Sequence, residues 1–337
     1  MWLNDYQNKA IETLHSLLWD QWVLLGLSGN IKSAGEWIVD PEALVLCTLL
    51  YGRYDPRLFD EMLDWLVENK RWIVLQRLRN LSTRWDDTIQ LKILSAISNW
   101  MVSYDRKGRW KRFLSISGKD TLEQIPLFIS WRGESLPMIS EPDQDFFRAG
   151  ILRPPVELRK LSSPIPIQTP QALIIRLRAI FGLSPRAEIV TYLFSHGQDS
   201  TAGIAVATGY SRPSVQDVLS DLLAGGILSM HKDTSQKVWS IDKTSIDMGF
   251  ILKGPASSWI NWTSVYIAWH ELICSINRID SANFSEYMLR SKLIDLNERM
   301  GMILSDCEPE NPFAKSLALG EVLEEFPKRV DRFLNLF

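Results

Sequence analysis

The stretch TGYSRPSVQDVLSDLLAGGIL, Thr208 to Leu228, decides how the middle of the chain is read. Val215, Val218, Leu219 and Leu222 recur at three- and four-residue steps, which places them on one stripe of a helix. Ser211 stands where an N-cap is wanted, and Gly225 and Gly226 stand where such a helix must stop. Gly209 precedes it at a turn, where a positive φ is easily reached only by glycine. From Pro213 to Leu223 the segment has two aspartates and no lysine or arginine. The spacing fixes a helix with one buried face, and its outward face is acidic rather than basic.

Upstream, RAEIVTYLFSHG from Arg186 reads as a helix with Ile189, Leu193 and Phe194 inward. TAGIAVATG is a short second helix in which Ile204 supplies an apolar contact and Ala205 room for close approach. YSR is the turn, with Tyr210 facing the core. Downstream, LSMHKDTSQKVWSID reads as a strand, a polar tip and a returning strand.

The order helix, helix, turn, helix, hairpin is similar to the winged helix-turn-helix superfamily and resembles the MarR-like bacterial regulators. The resemblance covers residues 185–242, about 60 of 337. It implies that the helix after Ser211 is a recognition helix and the hairpin a wing. With Ser211 as N-cap, Pro213, Ser214, Gln216, Asp217, Ser220 and Asp221 face outward and Arg212 lies on the N-terminal flank. Arg212 can contact guanine and Gln216 adenine, each through two hydrogen bonds. Asp217 can accept from cytosine but is repelled by phosphates. Ser211, Ser214 and Thr201 are candidate phosphate donors, and Lys232 and Lys237 flank the wing tip.

Charge for affinity must come from neighbours. RAGILRPPVELRKLSSPIPIQT, Arg148 to Thr169, has four prolines and little periodicity, and reads as a linker or extended surface arm. The helix PQALIIRLRAIFG follows, carrying Leu173, Ile174, Leu177, Ile180 and Phe181 on its apolar stripe and Arg176 and Arg178 on other faces. From Arg148 to Arg186 there are seven basic residues and one acid, Glu157. Arg176, Arg178 and Arg186 are accordingly expected at phosphates, together with the arm.

The first hundred residues read as helices with broad apolar faces. One is expected from Asp5 to Leu27, and two open with aspartate-proline pairs at Asp40 and Asp55, a carboxylate cap followed by a residue that gives up no hydrogen bond in the first turn. Nine of the fourteen tryptophans lie between Trp2 and Trp110, which reads as helix packing. RKGRWKR, Arg106 to Arg112, holds five basic residues in seven and reads as a solvated turn, with a phosphate patch as the other reading. Short strands are expected within 113–131. Three helices are expected after Met248, either as a dimerisation or regulatory element or as the second half of the N-terminal helical body.

The fold class expected is mainly α: a helical domain over 1–145, a basic linker over 146–170, a winged helix over 171–247 and a C-terminal helical domain over 248–337. A net charge of −3 excludes a protein that is basic throughout. Three scattered cysteines give neither a disulfide framework nor a zinc cluster. The first residues lack the pattern of a secretory signal, no apolar run reaches a membrane span, and a cytoplasmic location is expected. HELIC, with His270, Glu271 and Cys274, lacks the second histidine of a zinc-protease helix; no Walker loop, GxGxxG or GxSxG occurs. No enzyme activity, cofactor or metal is therefore expected. Asp86 and Asp87 read as a helix start. The function expected is sequence-specific binding of double-stranded DNA by a homodimeric regulator of transcription. The alternative is an adaptor subunit of a toxin-antitoxin or defence system whose winged helix binds protein.

Overall fold

Aspartate opens three of the N-terminal helices for one physical reason. Asp40 Oδ1 accepts from Ala43 N at 3.1 Å, Asp55 Oδ1 from Arg57 N and Leu58 N at 3.1 Å each, and Asp87 Oδ1 from Gln90 N at 2.7 Å. Each carboxylate satisfies N–H groups that a first helical turn leaves without partners. Asp87 is thus the helix start within RWDDT. Asp87→Ala is expected to cost about 1 kcal/mol, measured as a lower urea midpoint, with Asp87→Ser recovering most of it.

The computed structural model describes residues 2–31, 35–114, 123–233, 236–241, 257–280, 282, 284–307 and 311–337. Its N-terminal helices are α1 (Trp2–Leu24), α2 (Pro41–Tyr51), α3 (Pro56–Asn69), α4 (Leu75–Ser82), α5 (Thr88–Met101) and α6 (Arg109–Leu114). A two-residue parallel pair, β1 (Ile125–Pro126) with β2 (Ile151–Leu152), brackets α7 (Gln144–Arg148). The central elements are α8 (Leu173–Phe181), α9 (Pro185–His196), β3 (Gln198–Ser200), α10 (Thr201–Thr208), α11 (Arg212–Ala224), β4 (Leu228–Asp233) and β5 (Gln236–Ile241). The C-terminal helices are α12 (Trp262–Asp280), α13 (Glu286–Ile303) and α14 (Val322–Leu334). At 61% helix and 7% strand the protein is mainly α.

Two cores divide these elements. The larger is shared by the N-terminal helices and α12–α14, so the two helical ends of the chain form one body. Three of its tryptophans pack and also find acceptors, whereas the indole N–H groups of Trp85 and Trp269 have no acceptor among the described residues. Trp22 and Trp65 meet edge to face at 5.0 Å, Trp22 donates to Thr48 Oγ1, Trp65 to Leu25 O, and Trp262 to Ile38 O. Burying an indole without a partner for its N–H would forfeit part of the gain. Tyr266 donates to Gln21 Oε1 at 2.6 Å and Tyr6 to Asp331 Oδ2 at 2.9 Å, joining α12 and α14 to α1. The smaller core gathers α8–α11 and the hairpin around Ile189, Leu193, Ile204, Val215, Leu219 and Trp239.

Two boundaries differ from expectation. The first helix ends at Leu24, where Gly26 (φ +102°) turns the chain. Phe113 and Leu114 end helix α6 rather than opening a strand, and within 113–131 the described pairing is Ile125–Pro126 with Ile151–Leu152 plus the bridge Ile129 to Ser135. The remainder of that expectation, 115–122, lies outside the described residues, as does the boundary placed at 247. The proline-containing arm is pinned to the helical body: Ser163 N donates to Gly26 O, Ser28 Oγ to Leu161 O, and Leu161 N to Asp64 Oδ2.

Candidate nucleic-acid interface

Ser211 Oγ accepts from Ser214 N and starts α11, and Pro213 occupies its first turn. Val215, Val218, Leu219 and Leu222 are buried along the stripe that their spacing predicts. Gly209 caps α10 in the left-handed conformation, φ +79°. The hairpin β4–β5 accepts β3 as a third strand, in the order β3-β5-β4, with Gln198 opposite Ser240 and Ser200 opposite Val238. Only three residues long and polar, β3 gives no period-2 signal, so sequence reasoning missed it.

The exposed face of α11 carries Arg212, Asp217, Ser220 and Asp221, with Ser214 and Gln216 half-buried. Arg212 makes no ion pair with any described residue. Gln216 Oε1 accepts from Thr201 Oγ1 at 3.2 Å, and Gln216 Nε2 donates to Ser220 Oγ at 3.3 Å. Thr201 also accepts from Trp239 Nε1 at 3.0 Å. The Thr201 proton expected at a phosphate is therefore engaged with Gln216. On the hairpin, Lys232 and Lys237 are exposed and directly opposed across the strands. Like charges so placed repel, and an anion between them would relieve the repulsion.

Part of the basic run is buried, which corrects the expectation that Arg176 and Arg178 serve phosphates, while Arg148, Arg159 and Lys160 remain exposed. Arg178 is 2% exposed and Arg176 7%. Arg176 Nε donates to Ile167 O at 2.8 Å. Arg186 pairs with Asp221, Arg153 with Asp60 at 2.8 Å, Arg148 with Asp145 at 3.2 Å, and Arg159 lies 3.9 Å from Glu61. The partners come from α3, α7 and α11, distant in sequence except Asp145, so a local charge count could not see them.

Arg178 belongs to a buried charge network at the junction of the two cores. It donates twice to Glu42, at 2.8 and 2.7 Å, to Glu188 at 2.7 Å and to Trp72 O at 2.6 Å. Arg77 grips Asp40 with two bonds, at 2.7 and 2.5 Å, and reaches Glu42 Oε2 at 2.8 Å. Tyr210 donates to Glu188 Oε2 at 3.2 Å. Burial alone would raise the Asp40 pKa; the charge and hydrogen bonds of Arg77 more than offset it and hold the carboxyl below its ordinary value. Burial, then the Glu188 charge, push the Tyr210 phenol well above its own.

The same network seats the α10–α11 turn on α4. Arg77 Nε donates to Thr208 O at 2.7 Å, Asn80 Nδ2 to Gly209 O at 3.3 Å, and Arg84 to Val206 O at 3.0 Å. A Cβ on Gly209 would lie 2.5 Å from Leu81 Cδ2. Arg84, exposed, is thereby held against α10. It was not a sequence candidate, since more than 120 residues separate it from Val206.

No family model, curated protein or solved structure matches the chain. The site must be read from its own residues. In HELIC, His270 accepts or donates at Tyr51 OH, 3.1 Å away, lies 3.5 Å from Asp87 and sits at 3.7 Å from Cys274 Sγ, which is packing chemistry. Among the described residues no group of three or more His, Cys, Asp or Glu is placed to hold a metal ion. In RKGRWKR, Trp110 is buried and Arg109 donates to Lys70 O and Ile73 O, leaving Arg106, Lys107 and Lys111 exposed. No described helix is long and apolar enough to cross a membrane.

Proposed function

We propose that residues 173–241 form a winged helix-turn-helix that binds double-stranded DNA, with α11 as recognition helix and the β4–β5 hairpin as wing. The observation that carries the reading is Arg212: an exposed guanidinium without an ion pair to any described residue, at the N-terminal end of a stripe-packed helix, preceded by a glycine turn and followed by a hairpin bearing two opposed lysines. That end of the helix is where base edges are met, and lysines on a hairpin suit the sugar-phosphate backbone. Arg84 joins them as a phosphate contact. With Arg153, Arg176 and Arg178 buried, fewer cations are left for phosphates than the sequence count suggests, so affinity is modest and salt dependence shallow.

A mobility-shift assay on genomic fragments, including the protein's own upstream DNA, tests this at moderate salt. Arg212→Ala is expected to weaken the preferred fragment by ~1–3 kcal/mol and leave non-specific binding nearly unchanged. Lys237→Ala is expected to weaken all fragments alike and lower the salt slope by about 1. Absence of any retarded complex would overturn the reading, and equal losses for both variants on every fragment would remove Arg212 as a base reader.

A second reading is favoured by the same accounting of charge. With Arg178 and Arg186 paired, the central module offers Asp217 together with the exposed side chains Ile180, Leu183, Leu223 and Met230. Exposed apolar groups beside acids suit a protein partner better than a phosphate backbone. The protein would then be an adaptor subunit, and co-purification of a stoichiometric protein without retained DNA would select that reading.

A further inference from the structure

The outer face of α1 carries Asn4, Asn8, Glu12, His15 and Trp19 at steps of three and four residues, a single stripe along the helix. A hairpin tip overhangs this stripe. Its turn is closed by Gly133 N donating to Ser130 O at 2.9 Å and Ser130 N to Glu134 O at 2.7 Å, and its base by Ile129 N donating to Arg53 O at 3.0 Å. At the tip is Trp131. Its ring lies parallel to Tyr54, 4° off plane at 5.2 Å, and against His15 at 5.2 Å, yet the residue remains 47% exposed. A large aromatic fixed by two ring contacts and left half in water presents a preformed stacking face.

Two cavities meet at Trp131. One, of about 370 Å³, lies toward His15, Trp19 and Asn30; the other, of about 560 Å³, lies toward Asn4, Asn8 and Asn277. Both are lined by Glu12 and Trp131. The walls are pre-set. Trp19 Nε1 donates to Asp55 Oδ2 at 2.9 Å, and the Arg57 guanidinium rests over its ring at 5.4 Å. His15 Nε2 lies 2.8 Å from Tyr51 O, so that nitrogen carries the proton and Nδ1 is left as an acceptor.

We propose that this trough is a carbohydrate-binding site that takes a short oligosaccharide across the exposed Trp131 ring. The chemistry of the walls selects that class. Carboxamides present a donor and an acceptor side by side, which matches a hydroxyl that both gives and receives. An indole face accepts the C–H side of a pyranose ring, while Glu12 and the His15 Nδ1 accept from its hydroxyls. An apolar ligand would strand these amides without partners. The cavities set the carboxylates Glu12 and Asp20 against the guanidinium groups of Arg57 and Arg132, a balanced charge that gives no net attraction to a phosphorylated ligand. Single-stranded nucleic acid shares the stacking but carries that phosphate charge. The proposal is independent of any role for α11.

Titration calorimetry with cellotetraose, maltotetraose, chitotetraose and xylotetraose, and with oligo(dT) as the stacking control, tests it. At least one tetrasaccharide is expected to give a saturable isotherm. Trp131→Ala is expected to weaken it about tenfold and Trp131→Phe much less. Glu12→Gln keeps the stack and is expected to weaken it severalfold. Far-UV circular dichroism checks that each variant is folded. The proposal is overturned by no saturable binding of any tetrasaccharide up to ~10 mM, by unchanged affinity in folded Trp131→Ala, or by Trp131-dependent binding of oligo(dT) tighter than of every sugar.

Discussion

Arg178→Ala is expected to destabilise the protein by about 3–5 kcal/mol. The guanidinium is the positive centre between Glu42 and Glu188, and both carboxylates are buried with it. Removing it leaves two like charges sealed from water, facing each other across the space it filled, with Trp72 O also losing a donor. Arg77 cannot compensate, because its donors are committed to Asp40, Glu42 and Thr208 O. Urea unfolding is the measurement, followed by far-UV circular dichroism and by tryptophan fluorescence. The midpoint falls and the two probes cease to coincide, because the network joins two separate cores. Arg178→Lys keeps the charge but cannot fork both carboxylates, and falls between wild type and alanine. A loss below about 1 kcal/mol for alanine would mean that the network does not hold the junction.

Gly209→Val is the second large effect, about 2–5 kcal/mol, and it has two separable parts. A β-branched residue at φ +79° costs ~1–2 kcal/mol in backbone alone. The overlap of its Cβ with Leu81 Cδ2, at 2.5 Å, adds overpacking of ~1–3 kcal/mol. Gly209→Ala with Leu81→Ala distinguishes them: the double variant relieves the overlap while keeping the backbone strain, so the two losses are non-additive. Additive thermal shifts would show that the α10–α11 turn is not seated on α4.

Local features were legible in the sequence and long-range ones were not. The stripe Val215–Leu222, the glycine at 209 and the caps at Asp40, Asp55 and Asp87 depend on spacings of one to four residues, and the structure places them as those spacings require. The basic run from Arg148 to Arg186 misled because a charge count treats every arginine as solvated. Whether Arg178 faces water depends on Glu42, 136 residues away, and Arg153 on Asp60, 93 away. Arg84 went unnoticed for the converse reason, being an ordinary surface arginine until the fold brings it to Val206. The Trp131 platform was hidden too, since its partners come from α1 and from the turn between α2 and α3.

The shared core of the two chain ends has a consequence for how the molecule is made. Tyr266 reaches back 245 residues to Gln21, and Tyr6 forward 325 to Asp331. Contacts so far apart cannot form on a growing chain until the later partner has been synthesised. The central module, built from neighbouring helices and a hairpin, closes its own small core from contacts within residues 173–241, apart from Ile38 and Trp259. On the ribosome, therefore, the middle of the protein can close its core before the first helix has all its partners. Helix α1 can pack on α2 and α3 early, through Trp22, Thr48 and Trp65, but the part of its apolar face that meets α12 stays uncovered until that helix arrives, an interval that exposes the nascent chain to aggregation.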